Sequence, residues 1–105
     1  MRIIFFDTEV EDFIQALEPE NIAKTLRTIE LLEKFSYKLG MPHSKKVGKD
    51  LFELRIHGTK FIRIFYTFHK SQIVLLHCFN KKSKKIPKNE LKNSLQKLKA
   101  LFAEI

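Results

Sequence analysis

Residues 51–80 read LFELRIHGTKFIRIFYTFHKSQIVLLHCFN, and this stretch decides the fold. It contains three segments, 51–57, 60–69 and 72–80, that have the length of strands and are rich in Ile, Phe, Val and Leu. The short connections HGTK (57–60) and HKSQ (69–72) separate them. Apolar runs joined by such tight turns predict an antiparallel meander of three strands.

The amino-terminal side of the meander predicts one more strand and a helical hairpin. Residues 1–6 are apolar enough for a short buried strand, at either the edge or the centre of the sheet. TEVE at 8–11 matches a capping box, which predicts a short helix after it. Pro19 is suited to start a second helix, which Gly40 and Pro42 end. The predicted core face of this helix consists of Ile22, Leu26, Ile29, Leu32, Phe35 and Leu39.

The remaining segments predict a loop and a last helix. Residues 43–50, HSKKVGKD, are polar and predict a loop before the meander. From Pro87 to the end, Leu91, Leu95, Leu98 and Phe102 recur at helical spacing. The predicted order is β-α-α-β-β-β-α in a single domain over residues 1–105. The fold class is therefore α+β, a small twisted antiparallel β-sheet with an N-terminal helical hairpin and a C-terminal helix.

The charge of this 105-residue chain is concentrated in its middle third. The formal net charge is +8, and residues 43–85 carry eleven Lys or Arg against two Asp or Glu. A hydrophobic content of 44% with ten Phe allows a packed core and excludes a disordered tail. So much local positive charge predicts an anionic partner, which can be a nucleic acid, an acidic protein or a membrane surface.

The sequence lacks the residues that several classes of functional site require. Cys78 is the only cysteine, the four histidines have no i, i+4 pair, and three glycines are too few for a phosphate-binding loop. We therefore expect no disulfide, no metal and no cofactor, and we expect Cys78 to lie in the core. The apolar run at the amino terminus is too short for a signal peptide or a membrane span, so we expect a cytoplasmic protein.

Two arginines in the meander are the first candidates for chemistry. Strand alternation places Glu53 and Arg55 on one face of the first meander strand, and Arg63 is the only charge in the apolar run from Phe61 to Phe68. Arg63 or Arg55 pairs with Glu53 across the strands, or both arginines lie side by side on the exposed sheet face and hold a phosphate. One carboxylate does not neutralise two guanidiniums, so both interpretations can hold together.

Two lysine-rich segments extend this candidate site. NKKSKK at 80–85 follows the last meander strand and predicts a basic rim at the same face, formed by Lys81, Lys82, Lys84 and Lys85. The predicted loop at 43–50 is expected to contact the sugar-phosphate backbone of RNA through Lys45, Lys46 and Lys49. His77, His57 and Glu53 are further candidates for a base. Phe68 or Tyr66 is a candidate for stacking on a nucleotide base.

The strings PHSKKVGKDLFELRI, FIRIFYTF and IVLLHCFNKKSKKIP, between Pro42 and Pro87, resemble the RelE/HigB toxin superfamily, in particular its phage-derived HigB-like branch. The element order also matches. The resemblance implies a toxin of a type II toxin–antitoxin pair that cleaves mRNA, commonly in the ribosomal A site. It further implies a helix-turn-helix, HigA-like antitoxin as partner.

Carried over by this resemblance, Arg55 and Arg63 match basic positions of the family's active cleft. Lys81, Lys82 and Lys84 match the basic segment after the last strand. Some members use a tyrosine or histidine near the carboxy terminus for proton transfer, but this chain has no tyrosine after Tyr66 and no histidine after His77.

The chemistry expected without a metal is attack by the RNA's own 2′-hydroxyl, with formation of a 2′,3′-cyclic phosphate. Arg63 and Arg55 stabilise the negative charge, and one of the lysines donates a proton. The candidate catalytic set is Arg55, Arg63, Lys81, Lys82, Lys84, His77 and Glu53. Two alternatives stay open, a ParE-like toxin that inhibits DNA gyrase without RNA chemistry and a basic nucleic-acid-binding module that does not cleave.

Overall fold

In the computed structural model, residues 1–104 are described, and they form five strands and three helices. The fold class is α+β, as predicted. In chain order the elements are β1 (Arg2–Phe5), α1 (Thr8–Gln15), α2 (Pro19–Phe35), β2 (Ser44–Gly48), β3 (Leu51–His57), β4 (Phe61–His69), β5 (Gln72–Asn80) and α3 (Lys88–Phe102). Within residues 1–104, no helix is both long enough and apolar enough to cross a bilayer.

The five strands form one mixed sheet in the order β1-β5-β4-β3-β2. The pairs β3–β4 and β4–β5 are antiparallel, which confirms the predicted meander. β1 lies at the edge and pairs with β5 in parallel, so the prediction of a purely antiparallel sheet is wrong at this strand. Parallel pairing needs a long connection, and the chain between β1 and β5 supplies one.

β2 corrects the prediction of a polar loop at residues 43–50. Residues 44–48 form an edge strand that pairs with β3, with Ser44 opposite Leu54, Lys45 opposite Glu53 and a register shift before Gly48. Lysines on a strand with one free edge remain in solvent, so a polar sequence is compatible with this position. The Ser44 hydroxyl is buried and forms a hydrogen bond with the hydroxyl of Tyr66 on β4.

The helices cover both faces of the sheet. α1 and α2 pack on one face, where the core contains Val10, Ile14, Leu32 and side chains from β3, β4 and β5. α3 packs against β5 and β4 on the opposite face, with Leu98 and Leu101 beside Phe65 and Phe79. β3 lies beyond the strands that α3 contacts, and that part of the second face carries the polar side chains described below.

The buried faces of α2 and α3 differ from the predicted apolar stripes. Leu26 on α2 and Leu95 on α3 are exposed, whereas Thr25, Thr28 and Ser94 are buried against the sheet. Each of these three hydroxyls donates a hydrogen bond to the carbonyl four residues earlier in its own helix. A hydroxyl that is satisfied in this way can enter a core, which a stripe of apolar residues does not reveal.

The second helix begins where the sequence predicts, but the first helix has a different capping residue. Pro19 begins α2, as predicted. The cap of α1 is Asp7 rather than the predicted Thr8, because the Asp7 carboxylate accepts a hydrogen bond of 3.0 Å from the backbone N–H of Glu9. Asp and Thr are both good N-cap residues, so the sequence alone left the boundary uncertain by one position.

Candidate nucleic-acid interface

The central feature of the site is a cluster of two arginines and one acid on β3 and β4. Arg55 and Arg63 are direct cross-strand partners on the face that α3 partly covers. Glu53 Oε1 lies 3.6 Å from Arg55 Nε and 3.7 Å from Arg63 Nε, so the predicted salt bridge to Glu53 is present for both arginines. Since one carboxylate offsets only one guanidinium, the cluster keeps a net positive charge.

This cluster is more buried than an exposed sheet face would be. Arg63 and Glu53 are each only 3% exposed, which corrects the predicted open position of Arg63. Arg63 Nη1 donates a hydrogen bond of 3.2 Å to the carbonyl of Ile62. Burial lowers the pKa of Arg63, Glu53 counteracts this shift, and Arg55 adds to it. A guanidinium remains charged in proteins, so Arg63 is a fixed cation in a partly dry environment.

Arg63 forms part of the wall of an open cavity of about 720 Å³. The other residues around it come from the β3–β4 turn and from the segment after β5. The complete lining is His57, Phe61, Arg63, Lys81, Lys82, Ser83 and Lys84. The structure thus brings Arg63 together with the three lysines that were assigned to the catalytic set.

A backbone contact holds the lysine segment beside β4. The N–H of Lys81 donates a hydrogen bond of 2.7 Å to the carbonyl of Phe61, which continues the β4–β5 ladder beyond Asn80. Ser83 Oγ then donates to the carbonyl of Lys85 at 3.1 Å, which stabilises the turn toward α3. The basic rim is therefore attached to the sheet at its first residue.

Arg55 lies in a neighbouring groove rather than in this cavity. The groove has a volume of about 220 Å³ between α2 and β3, and Lys24, Arg27, His43 and His57 also line it. Arg55 Nη1 lies 3.5 Å from the sulfur of Met41. The register pairs of β2 and β3 end at Leu54, and the backbone N–H of Arg55 donates a hydrogen bond of 2.8 Å to the carbonyl of His43. The two arginines share Glu53 but line different depressions, which corrects the prediction of one joint phosphate clamp.

His57 lines both depressions and is the histidine closest to the candidate chemistry. Partial burial lowers the pKa of His57 below its ordinary value of 6.5, and the positive charges of Arg63 and Arg55, together with His43 and Lys24, lower it further. At neutral pH the imidazole is therefore uncharged, and one ring nitrogen is free to accept a proton.

The other two candidates for a base do not meet the cavity. His77 Nε2 lies 2.9 Å from Glu90 Oε2 on α3, and His77 lines a separate depression beside Cys78. Glu53 is buried between the two arginines and, unlike Arg63, does not line the cavity. Cys78 is buried as predicted, and burial together with the charge of Glu90 raises its thiol pKa.

The aromatic residue at the cavity is Phe61, not Tyr66 or Phe68. Tyr66 is fully buried, so the prediction that it stacks on a base is wrong, and the half-buried Phe68 ring packs against Tyr37 with ring centroids 4.1 Å apart. Phe61 is 53% exposed, and its ring meets His57 edge to face at 5.7 Å. The available sequence signal was its position as the first residue of β4, directly after the turn.

The remaining lysines assigned to RNA binding are exposed but lie outside the cavity lining. Lys45 and Lys46 are successive residues of β2 and therefore point to opposite faces of the sheet. Lys45 lies opposite Glu53, on the face of the arginine cluster, whereas Lys46 Nζ lies 5.9 Å from the ring of Phe52. Lys49 and Lys85 are exposed in turns on either side of the meander.

The cavity is built from cations and has the character of an anion-binding site. Within residues 1–104, no three side chains of the types His, Cys, Asp and Glu are grouped as they would be around a metal ion. Arg63 and the lysines instead offer N–H donors for phosphate oxygens, and Arg presents them in a planar fork. The chemistry of this lining is therefore suited to a phosphate group.

Comparison with known proteins gives a family match over most of the chain. Residues 12–99 match a family described as "Phage derived protein Gp49-like (DUF891)". The matched range includes every residue that lines the cavity. Among curated proteins, none matches this chain.

Proposed function

This chain belongs to the phage-derived Gp49-like family, a toxin-like family of the RelE/HigB type in toxin–antitoxin systems, and from that membership we propose that it is a metal-independent endoribonuclease toxin. Its substrate is mRNA, bound on the ribosome, and cleavage inhibits translation. The finer assignment to the HigB branch is part of this proposal. The observation that carries it is the cavity where Arg63, three lysines and His57 meet.

Electrostatics supports RNA as the ligand. The Arg55–Glu53–Arg63 cluster has a surplus positive charge, and Lys81, Lys82 and Lys84 add to it around the cavity that Arg63 lines. Partial burial strengthens the attraction of Arg63 for a phosphate, because charges interact more strongly away from water. A gyrase inhibitor without RNA chemistry has no need for such a cluster, so this feature favours the nuclease.

The residues of the cavity suffice for transesterification. Neutral His57 accepts the proton of the 2′-hydroxyl, the 2′-oxygen attacks the adjacent phosphorus, and the bond from phosphorus to the 5′-oxygen breaks. The 5′-oxygen takes a proton from a lysine of the rim, which leaves a 2′,3′-cyclic phosphate and a 5′-hydroxyl. Arg63 stabilises the negative charge on the phosphoryl oxygens in the transition state.

The test is cleavage of mRNA by purified protein, with and without translating ribosomes, followed by mapping of RNA ends and their chemistry. We expect 2′,3′-cyclic phosphate and 5′-hydroxyl ends. Arg63→Lys keeps a positive charge but removes the planar fork, so we expect a rate about 10²- to 10³-fold lower. Arg63→Ala is less informative, because removing one partner of a buried ion pair costs about 3–5 kcal/mol of stability.

The controls separate folding from chemistry. Lys34→Gln changes an exposed lysine on α2, away from the cavity, and should leave the cleavage rate unchanged. A thermal melt of each variant reports whether the fold persists. Wild-type protein that produces no new RNA ends in either condition would overturn the proposal. Inhibition of gyrase supercoiling without RNA cleavage would instead support the ParE-like alternative.

We propose a helix-turn-helix antitoxin of the HigA type as the protein partner. Support comes from membership of a toxin-like family, since toxins of such systems are held inactive by a cognate protein. Co-expression with the product of the neighbouring gene, followed by co-purification and a growth assay, tests this partner. A neighbour that neither binds nor relieves growth inhibition would contradict it.

A further inference from the structure

Phe61 is an exposed aromatic side chain in an unusual place. A phenyl ring that is 53% exposed at the start of β4 contributes little to the core, since neither core cluster of the sheet includes it. It lies instead in the wall of the cavity that Arg63 and the lysines also form. The ring and the cations therefore line the same cavity.

The backbone of Phe61 is held in place, and its ring has an aromatic neighbour on one side. The His57 ring meets it edge to face at 5.7 Å. The Phe61 backbone is fixed by pairing with His57 across the hairpin and by the hydrogen bond of its carbonyl with Lys81. A ring on a fixed backbone that is open to solvent can receive another flat ring with less loss of conformational freedom than a ring on a mobile loop.

An aromatic ring beside cations matches single-stranded nucleic acid better than other anions. Proteins that bind single strands place lysines and arginines along the backbone and stack aromatic side chains on the bases. An isolated phosphate or an acidic peptide offers no flat ring of matching size. The cavity combines one aromatic ring with four cations, so the combination identifies the ligand more specifically than charge alone.

We propose that Phe61 stacks on a nucleobase of the RNA strand whose phosphate binds at Arg63. This inference rests on the proposed function and adds a base-binding subsite to it. Stacking on one base fixes the position of the next phosphate along the strand relative to Arg63 and His57. Phe61 is therefore a binding residue that selects unpaired RNA, because a base inside a duplex has no free face.

The chain contains no tryptophan, so Phe61→Trp introduces a single fluorescent reporter at the subsite. The probe is a short 2′-deoxy oligonucleotide, which lacks the attacking hydroxyl and is not cleaved. We expect this oligonucleotide to quench the fluorescence of Trp at position 61. An oligonucleotide of equal length and charge with abasic sites should bind more weakly and quench little.

A matched control is Phe35→Trp. Phe35 is the last residue of α2, is 44% exposed and does not line the cavity, so its reporter should not respond to either oligonucleotide. Equal responses at positions 35 and 61 would show non-specific association and overturn the proposal. Equal quenching at position 61 by the normal and the abasic oligonucleotide would overturn it as well.

Binding by variants without a reporter gives a second, independent measurement. Phe61→Leu keeps apolar volume but removes the ring, and we expect about 5- to 150-fold weaker binding of the normal oligonucleotide, with the abasic one little affected. Phe61→Tyr keeps the ring and should bind like wild type. Unchanged affinity of Phe61→Leu contradicts stacking.

The two proposals fail in different ways. If wild-type protein cleaves mRNA but Phe61→Leu binds and cleaves normally, stacking is wrong and the nuclease stands. If wild-type protein binds neither oligonucleotide in low salt and leaves mRNA intact, the nucleic-acid site itself is wrong. If the reporter at position 61 is quenched but wild-type protein does not cleave RNA, the stacking subsite is supported. The protein is then a nucleic-acid-binding module and not an enzyme.

Discussion

At the scale of single residues, the electrostatics of the cavity depends on the buried cluster of Arg55, Glu53 and Arg63. The carboxylate of Glu53 lies at similar distances, 3.6 and 3.7 Å, from the two guanidiniums, so neither arginine has an acid of its own. Partial burial lowers the pKa of His57, and the positive charges of Arg63 and Arg55 lower it further. In the proposed mechanism the cluster therefore has two roles, to attract a phosphate and to help keep His57 as a proton acceptor.

The pH dependence of cleavage should reflect the lowered pKa of His57. Because the pKa of His57 is lowered, kcat/KM should still be high at pH 6.5, the ordinary histidine value, and should decline only at lower pH. His57→Gln should lower the rate about 10²- to 10⁴-fold and remove this acid limb. A pH–rate profile of both proteins is the measurement.

His69→Gln is the matched control, since His69 lies at the end of β4 beside Phe102 and does not line the cavity. The pH–rate profile of His69→Gln should equal that of wild type.

The stability of the wild-type protein should also depend on pH between the lowered pKa of His57 and 6.5. Between the lowered pKa and 6.5 the unfolded chain binds more protons at His57, so the free energy of unfolding decreases as the pH falls through this range. An acid limb centred above pH 6.5 would contradict the assignment.

Sequence pattern alone singled out Arg63 but did not separate His57 from His77 as candidates for a base. A single charge inside an apolar strand is visible in one dimension, and its need for a partner follows from the cost of burying a charge. His57 and His77 look alike in sequence. What separates them is the contact of His77 with Glu90 on α3, and this contact depends on how the helix packs.

At the scale of elements, the amino-terminal end of α2 anchors the turn between β3 and β4. Asn21 is fully buried, its Nδ2 donates to Thr59 Oγ1 at 2.8 Å, and its Oδ1 accepts from the backbone N–H of Thr59 at 3.2 Å. Lys24 Nζ donates to the carbonyl of His57 at 3.1 Å. The helix therefore fixes the turn whose two flanking residues, His57 and Phe61, enter the cavity.

Gly58→Ala should break this anchor. A Cβ at position 58 would lie 2.3 Å from Asn21 Oδ1, which is too close, so the turn or the asparagine must move. We expect a loss of about 1–3 kcal/mol in the free energy of unfolding, measured by urea denaturation. The loss should be smaller in an Asn21→Ala background, where the clashing oxygen is absent.

Gly40→Ala is the control for Gly58→Ala, because a Cβ at position 40 meets no atom within 4 Å. Its stability should equal that of wild type or exceed it slightly, since alanine restricts the unfolded chain more than glycine does. Equal stabilities of the two alanine variants would show that the turn is not held by Asn21.

The elements with strong apolar patterns were predictable, and those that depend on an edge or on polar packing were not. The three meander strands were located to within a residue, because each is buried and bounded by a turn. β2 was missed because an edge strand needs few apolar residues. The burial of Thr25 and Ser94 was missed because their hydroxyls are satisfied within their own helices, and sequence hydropathy does not report that.

At the scale of the whole molecule, charge is segregated. Residues 1–42 carry eight acids against five bases, whereas residues 43–85 carry a large excess of bases. The fold keeps this separation, since the basic segment supplies every residue that lines the cavity. A surface of this kind draws in a polyanion from a distance and releases its counterions on binding.

Binding of single-stranded RNA should therefore weaken steeply with salt. The slope of log K against log salt should become shallower by about 0.7 for each lysine contact that is removed, for example in Lys82→Gln and Lys84→Gln. The measurement is a titration of a non-cleavable oligonucleotide at several salt concentrations. Lys38→Gln, near the end of α2, is the matched control, and a slope that falls equally in this variant would contradict a localised site.

The parallel pairing of β1 with β5 has a consequence for the order of folding. Ile3 lies beside Ile73, so this contact closes about two thirds of the chain into a loop, whereas β3, β4 and β5 are joined by short turns. Loop closure is entropically costly, so we expect the hairpins to assemble early and β1 to arrive late. Until β1 pairs with it, β5 is an unprotected edge strand whose unpaired amides and carbonyls can pair with a second chain.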